Sequence, residues 1–305
     1  PENGHSPQNK KGPTTPSPGL PQSAPADPFE DHVGPFWFRK ADGIAHCRME
    51  PGERHLNSGG MVHGGLLMSF ADYALATAAG ATEGKFALTA ALTCQFLNAG
   101  RPGAPIEAIG EEIRAGRTLS FTRGLVSQEG RALLSCSGTF RPIQRDKALA
   151  RRIEPMALDP ADAEKPPPGF ALVERDSPFL KHVGDSYIGE RDGRRIVVQP
   201  TAPHMLNTGG LTHGGMLMNF ADNALCTEID IAPGGKAPIT TTFTAEFLSA
   251  GRFGPLLESA VDLLKVSGRT AFVRGLVTQQ GATLLAYSAM ITLLDRKDLA
   301  QRQGQ

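Results

Sequence analysis

The sequence predicts an α+β protein made of two tandem copies of one domain, each a long buried helix wrapped by an antiparallel sheet. Three observations support this prediction. One set of motifs occurs twice, about 150 residues apart. Each copy contains an apolar run long enough for a helix, and four β-like segments follow each run. Two copies at so long a period indicate a duplicated domain and not a solenoid.

Two sequence patterns carry most of the repeat. Leu-Asn-x-Gly-Gly-x-x-His-Gly-Gly-x-Leu-Met-x-Phe-Ala-Asp-x-Ala-Leu at 56–75 recurs at 206–225, and Phe-Leu-x-Ala-Gly-Arg at 96–101 recurs at 247–252. The apolar run inside the first pattern is apolar on nearly every side, which predicts a buried helix. The β-like segments, the last two of each copy separated by hairpin turns, are 87–97, 106–113, 120–128, 132–140, 240–248, 257–264, 271–279 and 283–293.

Proline-rich segments set the predicted domain boundaries. Residues 1–28 hold eight of the 24 prolines and one large aliphatic residue, so we predict a disordered lead. A second polar segment, 146–169, contains Pro166-Pro167-Pro168 and predicts a semi-rigid linker. The two domains are therefore placed at 29–145 and 170–295, with a C-terminal tail at 296–305.

Composition argues against several classes of protein. Thirty-one basic residues balance 31 acidic ones, so no bulk charge favours nucleic acid or an anionic membrane. The longest apolar stretch, 66–81, contains Asp72 and is shorter than the ~20 residues that cross a bilayer. No secretory signal is recognised, so we expect a cytoplasmic location. Four scattered cysteines without a Cys-x-x-Cys pair fit reduced surroundings: Cys47, Cys94, Cys136 and Cys226.

The glycine-rich turn before each helix is the first candidate for chemistry. Unpaired backbone N–H groups and the positive end of the helix dipole there can stabilise an oxyanion. The paired glycines, Gly64-Gly65 and Gly214-Gly215, would let a ligand approach the backbone. Alternatively, they only permit a tight turn and close packing. Recurrence of the whole nine-residue pattern favours the functional interpretation.

Histidines and arginines near the repeated motifs receive weaker assignments. His63 and His213 could be general bases, but their position beside the glycines favours a supporting role that orients the turn. Neither a zinc-ligand spacing nor a phosphate-binding glycine motif is present, so no metal or cofactor is expected. Arg117 and Arg269, in Gly-Arg-Thr turns, could bind phosphate, although exposed hairpin arginines are more often simply solvated.

One aspartate lies in the middle of each apolar helix. An unpaired carboxylate at Asp72 or Asp222 would have a large desolvation cost. Burial raises the pKa of such a group and can make it a base or a nucleophile. The alternative is an aspartate whose oxygens cap a loop of the facing copy.

Helix geometry predicts that each site is shared between the copies. Gly64 and Asp72 are eight residues apart, or about 12 Å along a helix, whereas reacting groups must lie within about 3–3.5 Å of one another. Two antiparallel helices related by a pseudo-two-fold axis would bring the start of one beside the middle of the other. The predicted composite sites are Asn57 and Gly64 facing Asp222, and Asn207 and Gly214 facing Asp72.

At these residues the sequence resembles the PaaI-type acyl-CoA thioesterases of the hotdog-fold superfamily, in a tandem, double-hotdog form. The resemblance covers 29–144 and 179–295 and depends on the Asn-x6-Gly-x7-Asp spacing around His-Gly-Gly. It implies a long helix cradled in an antiparallel sheet, and sites shared across a dimer interface. The family's catalytic residues correspond to Asn57, Gly64, Asp72, Asn207, Gly214 and Asp222, and its strand Ser/Thr to Thr89 and Thr240.

The chemistry implied by the resemblance is hydrolysis of an acyl-CoA or aryl-CoA thioester. The glycine N–H and the asparagine would polarise the carbonyl, while the aspartate with its threonine activates water or attacks directly. Both copies retain every motif residue, so we predict two active sites and a homodimer of double-hotdog chains. Two rivals stay open: a non-catalytic acyl-binding module, and a hotdog hydratase or dehydratase.

Overall fold

The computed structural model describes residues 27–80, 85–144, 158–230 and 236–295. Nearly all of the predicted lead, the first part of the predicted linker and the predicted tail lie outside these ranges. Among the described residues, no helix combines the length and the apolar character needed to cross a membrane.

The two repeats contain the same order of main elements. In the first repeat the helices and strands are α1 Pro28–Val33, β1 Phe36–Ala41, β2 Ile44–Met49, a 3-10 turn Glu53–His55, α2 Gly64–Ala78, β3 Lys85–Phe96, β4 Ile106–Ala115, β5 Ser120–Gln128 and β6 Arg131–Gln144. In the second they are a 3-10 turn Pro160–Asp162, β7 Ala171–Leu172, α3 Pro178–Val183, β8 Tyr187–Arg191, β9 Arg194–Gln199, a 3-10 turn Pro203–Met205, α4 Gly214–Asp230, β10 Lys236–Phe247, β11 Leu257–Ser267, β12 Thr270–Gln279 and β13 Ala282–Asp295.

The predicted α+β class and the four strands after each long helix are confirmed. Two hairpins that were not predicted, β1–β2 and β8–β9, precede the glycine-rich turns. Their turns are Asp42-Gly43 and Asp192-Gly193, with positive φ at both residues. Asp-Gly between short apolar segments is a hairpin signal, so this signal was present in the sequence.

The described strands form one antiparallel sheet in the order β1-β2-β4-β5-β6-β3-β10-β13-β12-β11-β9-β8-β7. The two repeats join edge to edge where β3 pairs with β10, between the pairs Thr242–Gln95 and Glu246–Ala91. The sheet therefore continues from one repeat into the other, with a pseudo-two-fold axis beside this junction.

Helices α2 and α4 pack against each other in antiparallel register. A Cβ atom added to Gly65 would lie 1.7 Å from Asn219 Oδ1, and one added to Gly215 would lie 2.7 Å from Ser69 Oγ. Asn219 Nδ2 donates to Ser69 Oγ at 3.0 Å. The second glycine of each pair is therefore explained by close helix packing, which was the alternative offered for it.

Each short lead helix contacts the glycine-rich turn region of the other repeat. Phe29 N donates to Leu206 O at 3.1 Å, and Phe179 N donates to Leu56 O at 3.0 Å. The Phe29 ring stacks on His213 with the centroids 4.7 Å apart. Helix α1 therefore contacts the turn region of the second repeat, and α3 contacts the turn region of the first.

The described part of the predicted linker packs along the second repeat. Glu164 N donates to Gly254 O at 2.7 Å, and Leu256 N donates to Glu164 Oε2 at 3.3 Å. Strand β7 then pairs with β8 at the end of the sheet. From Glu164 onward the chain is therefore held against the second domain.

Candidate active site

The repeated asparagine and histidine organise the turn at the start of each long helix. Asn57 Oδ1 accepts from Gly59 N at 2.8 Å and from Met61 N at 3.1 Å. His63 Nδ1 accepts from Gly65 N at 3.0 Å and so caps α2. These contacts fit the supporting role predicted for the histidine, and they leave the Asn57 amide group available as a donor.

The second repeat builds the same turn. Asn207 Oδ1 accepts from Gly209 N at 2.8 Å and from Leu211 N at 3.1 Å, and His213 Nδ1 accepts from Gly215 N at 2.9 Å. The backbone N–H of the first helical residue has no hydrogen-bond partner among the described residues in either repeat. The start of each long helix therefore presents a free donor at the positive end of the helix dipole.

Each helix aspartate is buried and held by the predicted threonine. Thr89 Oγ1 donates to Asp72 Oδ1 at 2.8 Å, and Thr240 Oγ1 donates to Asp222 Oδ1 at 2.7 Å. Both aspartates are 5% exposed. Each threonine begins a β-bulge in its strand, and bulges of this kind redirect side chains beside functional sites.

The antiparallel helices bring Asp72 of the first repeat against the turn of the second. A Cβ atom added to Gly214 would lie 3.5 Å from Asp72 Oδ2, the oxygen that Thr89 does not hold. A Cβ atom added to Gly64 would lie 3.2 Å from the Phe96 ring, and the pairing of Gly64 with Asp222 stays a prediction. Gly214 and Asp72, which helix length assigned to different copies, lie together.

The surroundings of Asp72 are rich in carboxylates. Burial lowers the pKa of His213, but Asp27, Glu30 and Asp72 outweigh burial and raise this pKa to about 9. With Nδ1 accepting from Gly215, the ring carries its proton on Nε2, which lies 3.6 Å from Glu30 Oε1. A second proton, on Nδ1, would break the hydrogen bond that Gly215 N donates to this nitrogen. Burial raises the pKa of Asp72, and His213 and Thr89 oppose this.

The surroundings of Asp222 contain a cation instead. Burial, followed by Arg175, lowers the pKa of His63 to about 3, so this histidine is neutral at physiological pH. Burial raises the pKa of Asp222, while the Thr240 hydrogen bond and Arg175 oppose the rise. Arg175 Nη2 donates to Thr227 Oγ1 at 2.9 Å, which fixes the cation beside α4.

Sequence reasoning missed Asp27, Glu30 and Arg175. All three precede or lie within the short lead helices and act on the turn of the opposite repeat, so spacing within one motif could not find them. The N-cap pattern of Asp27 before Pro28 was a usable signal for the start of α1: Asp27 Oδ1 accepts from Phe29 N at 3.1 Å.

One group of potential metal ligands occurs in the described part of the chain. Ligand atoms of Asp27, Glu30 and His213 lie within 4.8 Å of one another. However, Asp27 accepts backbone N–H bonds through both oxygens, and His213 Nδ1 is used in the helix cap. These contacts are those of a helix cap, and they do not fit a metal site.

The predicted phosphate-binding arginines lie in turns between strands. Arg117 and Arg269 are exposed, in the turns that connect β4 to β5 and β11 to β12. Their role stays a prediction.

Comparison with known proteins shows the family. A family model described as "Thioesterase superfamily" matches residues 59–135 and 209–286, together about half of the chain. A protein of Pseudomonas aeruginosa named "Putative esterase" is 30% identical over 118 residues, which cover 38% of this chain and 88% of that protein.

Solved structures share the whole tandem arrangement. A hotdog-fold protein of Alicyclobacillus acidocaldarius superposes with a TM-score of 0.63 at 16% identity, over 88% of this chain and 98% of that one. An acyl-CoA thioesterase II of Mycobacterium marinum superposes with a TM-score of 0.57 at 13% identity, over 86% and 96%. The chain thus belongs to the thioesterase superfamily and is a tandem hotdog thioester hydrolase.

Proposed function

We propose that the protein hydrolyses the thioester bond of acyl-CoA or aryl-CoA at two composite sites, each formed by both repeats. The observation that carries this proposal is the position of the Asp72 carboxylate beside Gly214 at the start of α4, with Thr89 holding the other oxygen of the same carboxylate. We name this site 1. Site 2 comprises Asp222 and Thr240 with the turn of the first repeat.

In site 1, the Gly214 N–H and the positive end of α4 would receive the thioester oxygen. The amide of Asn207 would add a second donor. Charge that develops on this oxygen as the tetrahedral intermediate forms would be stabilised there. The sulfur then leaves as the thiolate of coenzyme A, which takes up a proton.

Asp72 would activate the water that attacks the carbonyl carbon. Its Oδ1 is held by Thr89, so Oδ2, which faces Gly214, is the oxygen that can take a proton from water. Burial raises the pKa of this carboxyl, which makes it a stronger base than an exposed aspartate. Direct attack by the carboxylate is the alternative: it would expel the thiolate and form a mixed anhydride, and water attacking the Asp72 carbonyl of this anhydride would leave ¹⁸O from labelled Asp72 in the product acid.

In site 2 the corresponding roles fall to Asp222 with Thr240, and to Asn57 with Gly64. We also propose that Arg117 and Arg269 contact the phosphates of coenzyme A, and that two chains pair as a homodimer. Light scattering tests the dimer. Charge-removing substitutions at the two arginines should raise KM for acyl-CoA while leaving KM for a short acyl thioester without the nucleotide unchanged.

The rival functions lack specific support. A hydratase or dehydratase needs a histidine base at the acyl chain, but both turn histidines use Nδ1 to cap a helix, and the pKa of His63 is lowered to about 3. A non-catalytic binding module would not require a buried carboxylate against a free helix start.

Release of free thiol from a series of acyl-CoA and aryl-CoA thioesters tests the proposal. The native chain should release thiol, and the double variant Asp72→Asn/Asp222→Asn should lose about 10²- to 10⁴-fold in rate while staying folded. No thiol from the native chain, with acyl-CoA affinity retained in the double variant, would establish the binding module instead.

A further inference from the structure

The repeated segment Phe-Leu-x-Ala-Gly-Arg, at 96–101 and 247–252, has no part in the chemistry proposed for the two sites. Its phenylalanines pack on the starts of the long helices. A Cβ atom added to Gly64 would meet the Phe96 ring at 3.2 Å, and one added to Gly214 would meet the Phe247 ring at 3.1 Å. Each segment therefore begins against the glycine whose N–H is the proposed oxyanion donor.

The end of the segment in the second repeat lies beside the glycine-rich turn of that repeat. Thr212 N donates to Gly251 O at 2.9 Å, and Arg252 forms a β-bridge with Leu211. Bridged residues lie about 5 Å apart between Cα atoms. The N–H of Leu211 donates in turn to Asn207 Oδ1 at 3.1 Å. The arginine that closes the segment thus adjoins the turn that holds the proposed second donor to the thioester oxygen.

A buried glutamine fixes the backbone of this arginine. Gln279, at the end of β12, is 5% exposed. Its Oε1 accepts from Arg252 N at 2.9 Å, and its Nε2 donates to Arg252 O and to Pro255 O, both at 2.9 Å. Three hydrogen bonds from one side chain hold an exposed residue in place, which lowers the entropy cost of binding a ligand there.

The first repeat builds the same loop. Val62 N donates to Gly100 O at 2.9 Å. Gln128, 8% exposed, accepts from Arg101 N at 2.8 Å and donates to Arg101 O at 2.7 Å and to Ala104 O at 2.8 Å. Both repeats therefore fix an arginine beside the glycine-rich turn by the same set of bonds.

The charges of these two arginines are not balanced by a carboxylate of the described chain. Both side chains are exposed. The Arg101 guanidinium makes no hydrogen bond or ion pair with the described residues, and that of Arg252 donates to a neutral group, Gln280 Oε1, at 2.6 Å. A guanidinium matches phosphate by donating two parallel hydrogen bonds. A fixed, exposed guanidinium beside each turn suits the phosphates of a ligand whose acyl end lies at that turn.

We propose that Arg101 and Arg252 bind the phosphates of coenzyme A beside the two sites, and that Gln128 and Gln279 are positioning residues for these arginines. Because the arginine and the turn of one repeat lie together, Arg252 serves site 1 and Arg101 serves site 2. This inference rests on the proposed function, since it names residues that hold the substrate of the two proposed sites.

The earlier candidates, Arg117 and Arg269, can be tested separately. Arg117 precedes β5, and Gln128, which holds Arg101, ends this strand. The nine residues of β5 span about 30 Å. The two arginines of one repeat therefore lie near opposite ends of a strand.

Single-site variants test the assignment. Asp222→Asn keeps site 1, and in this background Arg252→Gln should raise KM for acyl-CoA about 10-fold with little change in kcat, because a charge-assisted contact to phosphate is lost. KM for the matching S-acyl-pantetheine, which has no phosphate, should stay the same. In Asp72→Asn, which keeps site 2, Arg101→Gln should have these effects and Arg252→Gln should not.

The matched control is Arg274→Gln. Arg274 is also an exposed arginine that recurs, at Arg123, but its Nε lies 3.4 Å from Asp262 Oδ2, and its loss should change neither KM. Gln279→Met tests the positioning role in the Asp222→Asn background. It should raise KM for acyl-CoA alone and add nothing further to Arg252→Gln, whereas a merely structural residue would affect both substrates alike.

An unchanged KM in Arg252→Gln, an equal rise for both substrates, or an effect at the opposite site would overturn the inference. Calorimetry with thioethers, which cannot be hydrolysed, gives a second readout. The native chain should bind S-alkyl-CoA more tightly than S-alkyl-pantetheine, and Arg101→Gln/Arg252→Gln should lose about 10-fold in affinity for S-alkyl-CoA alone. If no thioester is hydrolysed but this loss is found, only the proposed function fails; hydrolysis with unchanged KM and affinity refutes only the inference.

Discussion

His63 and His213 occupy the same position in the two repeats and make the same helix-capping bond, but their surroundings have opposite charge. Carboxylates at Asp27, Glu30 and Asp72 raise the pKa of His213 to about 9. Burial and Arg175 lower the pKa of His63 to about 3. The duplicated motif therefore fixes local geometry without fixing electrostatics.

The difference arises because each lead segment crosses to the opposite repeat. Phe29 and Phe179 bond to backbone carbonyls just before the other repeat's turn. Residues near these contacts, Asp27 and Glu30 on one side and Arg175 on the other, differ in charge. After duplication, two copies of one turn can thus acquire different environments through changes in segments outside the motif.

The largest expected effect concerns the crossing of the two long helices. Gly65→Ala would place a Cβ atom 1.7 Å from Asn219 Oδ1, so this buried side chain must move and give up its hydrogen bonds to Ser69 and Gly215. We expect a loss of about 3 kcal/mol in the free energy of unfolding, measured by urea denaturation. Gly215→Ala meets the smaller Ser69 at 2.7 Å and Phe29 at 2.9 Å, and should lose about 1–2 kcal/mol.

The matched control for this prediction is Asn219→Ser, which gives the second helix the residue of the first. Combined with Gly65→Ala, it should recover at least half of the lost stability. If Gly65→Ala proves neutral, or if Asn219→Ser gives no recovery, the antiparallel register described above is wrong.

A smaller effect is expected on the pH dependence of activity, which should change at one site and not at the other. Arg175→Gln removes a charge that lowers the pKa of Asp222, so this pKa should rise. A catalytic carboxylate loses activity as the pH falls through its pKa. In the Asp72→Asn background, the acid limb of kcat/KM should therefore move to higher pH, by up to about one unit. The same substitution in the Asp222→Asn background reports on site 1, whose profile should stay in place; a shift of equal size there would contradict the assignment of Arg175 to site 2.

The smallest effect is expected where the repeats meet through stacked histidines. The rings of His32 and His182 lie 3.9 Å apart, and so do those of His32 and His204. Burial, together with these neighbours and Arg54, lowers the pKa of His32 to about 4. The unfolded chain therefore takes up a proton first, near its ordinary value, and stability falls as the pH drops from about 6.5 to about 4.

His32→Gln cannot be protonated but can still donate to His182 O, as His32 does at 2.8 Å. The stability lost between pH 7 and pH 5, measured by urea denaturation, should shrink by about 0.5–1 kcal/mol in this variant, because solvent partly screens the site. An unchanged pH dependence would show that His32 is protonated as readily in the folded chain as in the unfolded one.

Much of this architecture could be predicted from the sequence because the two repeats can be compared with each other. The repeated turn and the carboxylate inside an apolar helix drew attention to Asp72 and Asp222. Helix length predicted that each lies beside the opposite turn, which the position of Asp72 near Gly214 supports for the first of them. The threonines came only through the resemblance to a family, because a strand residue at a β-bulge has no local signature.

The differences between the repeats were much harder to predict. Arg175 and Glu30 act across the repeat boundary, so their partners could be identified only after the helices were placed. The exchange of Tyr73 for Asn223 was visible in the sequence. The hydrogen bond from Asn223 to Ser186, which is distant in sequence, became apparent only in the fold.

Each site is proposed to combine the aspartate of one repeat with the turn of the other, and two double variants distinguish this arrangement from sites built within a single repeat. Asn57→Asp and Asn207→Asp keep the oxygen that accepts the turn's N–H bonds but place a negative charge where the thioester oxygen would develop its own. Thiol release by Asp72→Asn/Asn207→Asp should equal that of Asp72→Asn alone, because both changes fall in site 1. Asp72→Asn/Asn57→Asp should be as inactive as Asp72→Asn/Asp222→Asn, because it damages both sites. The reverse pattern would show that each repeat builds its own site.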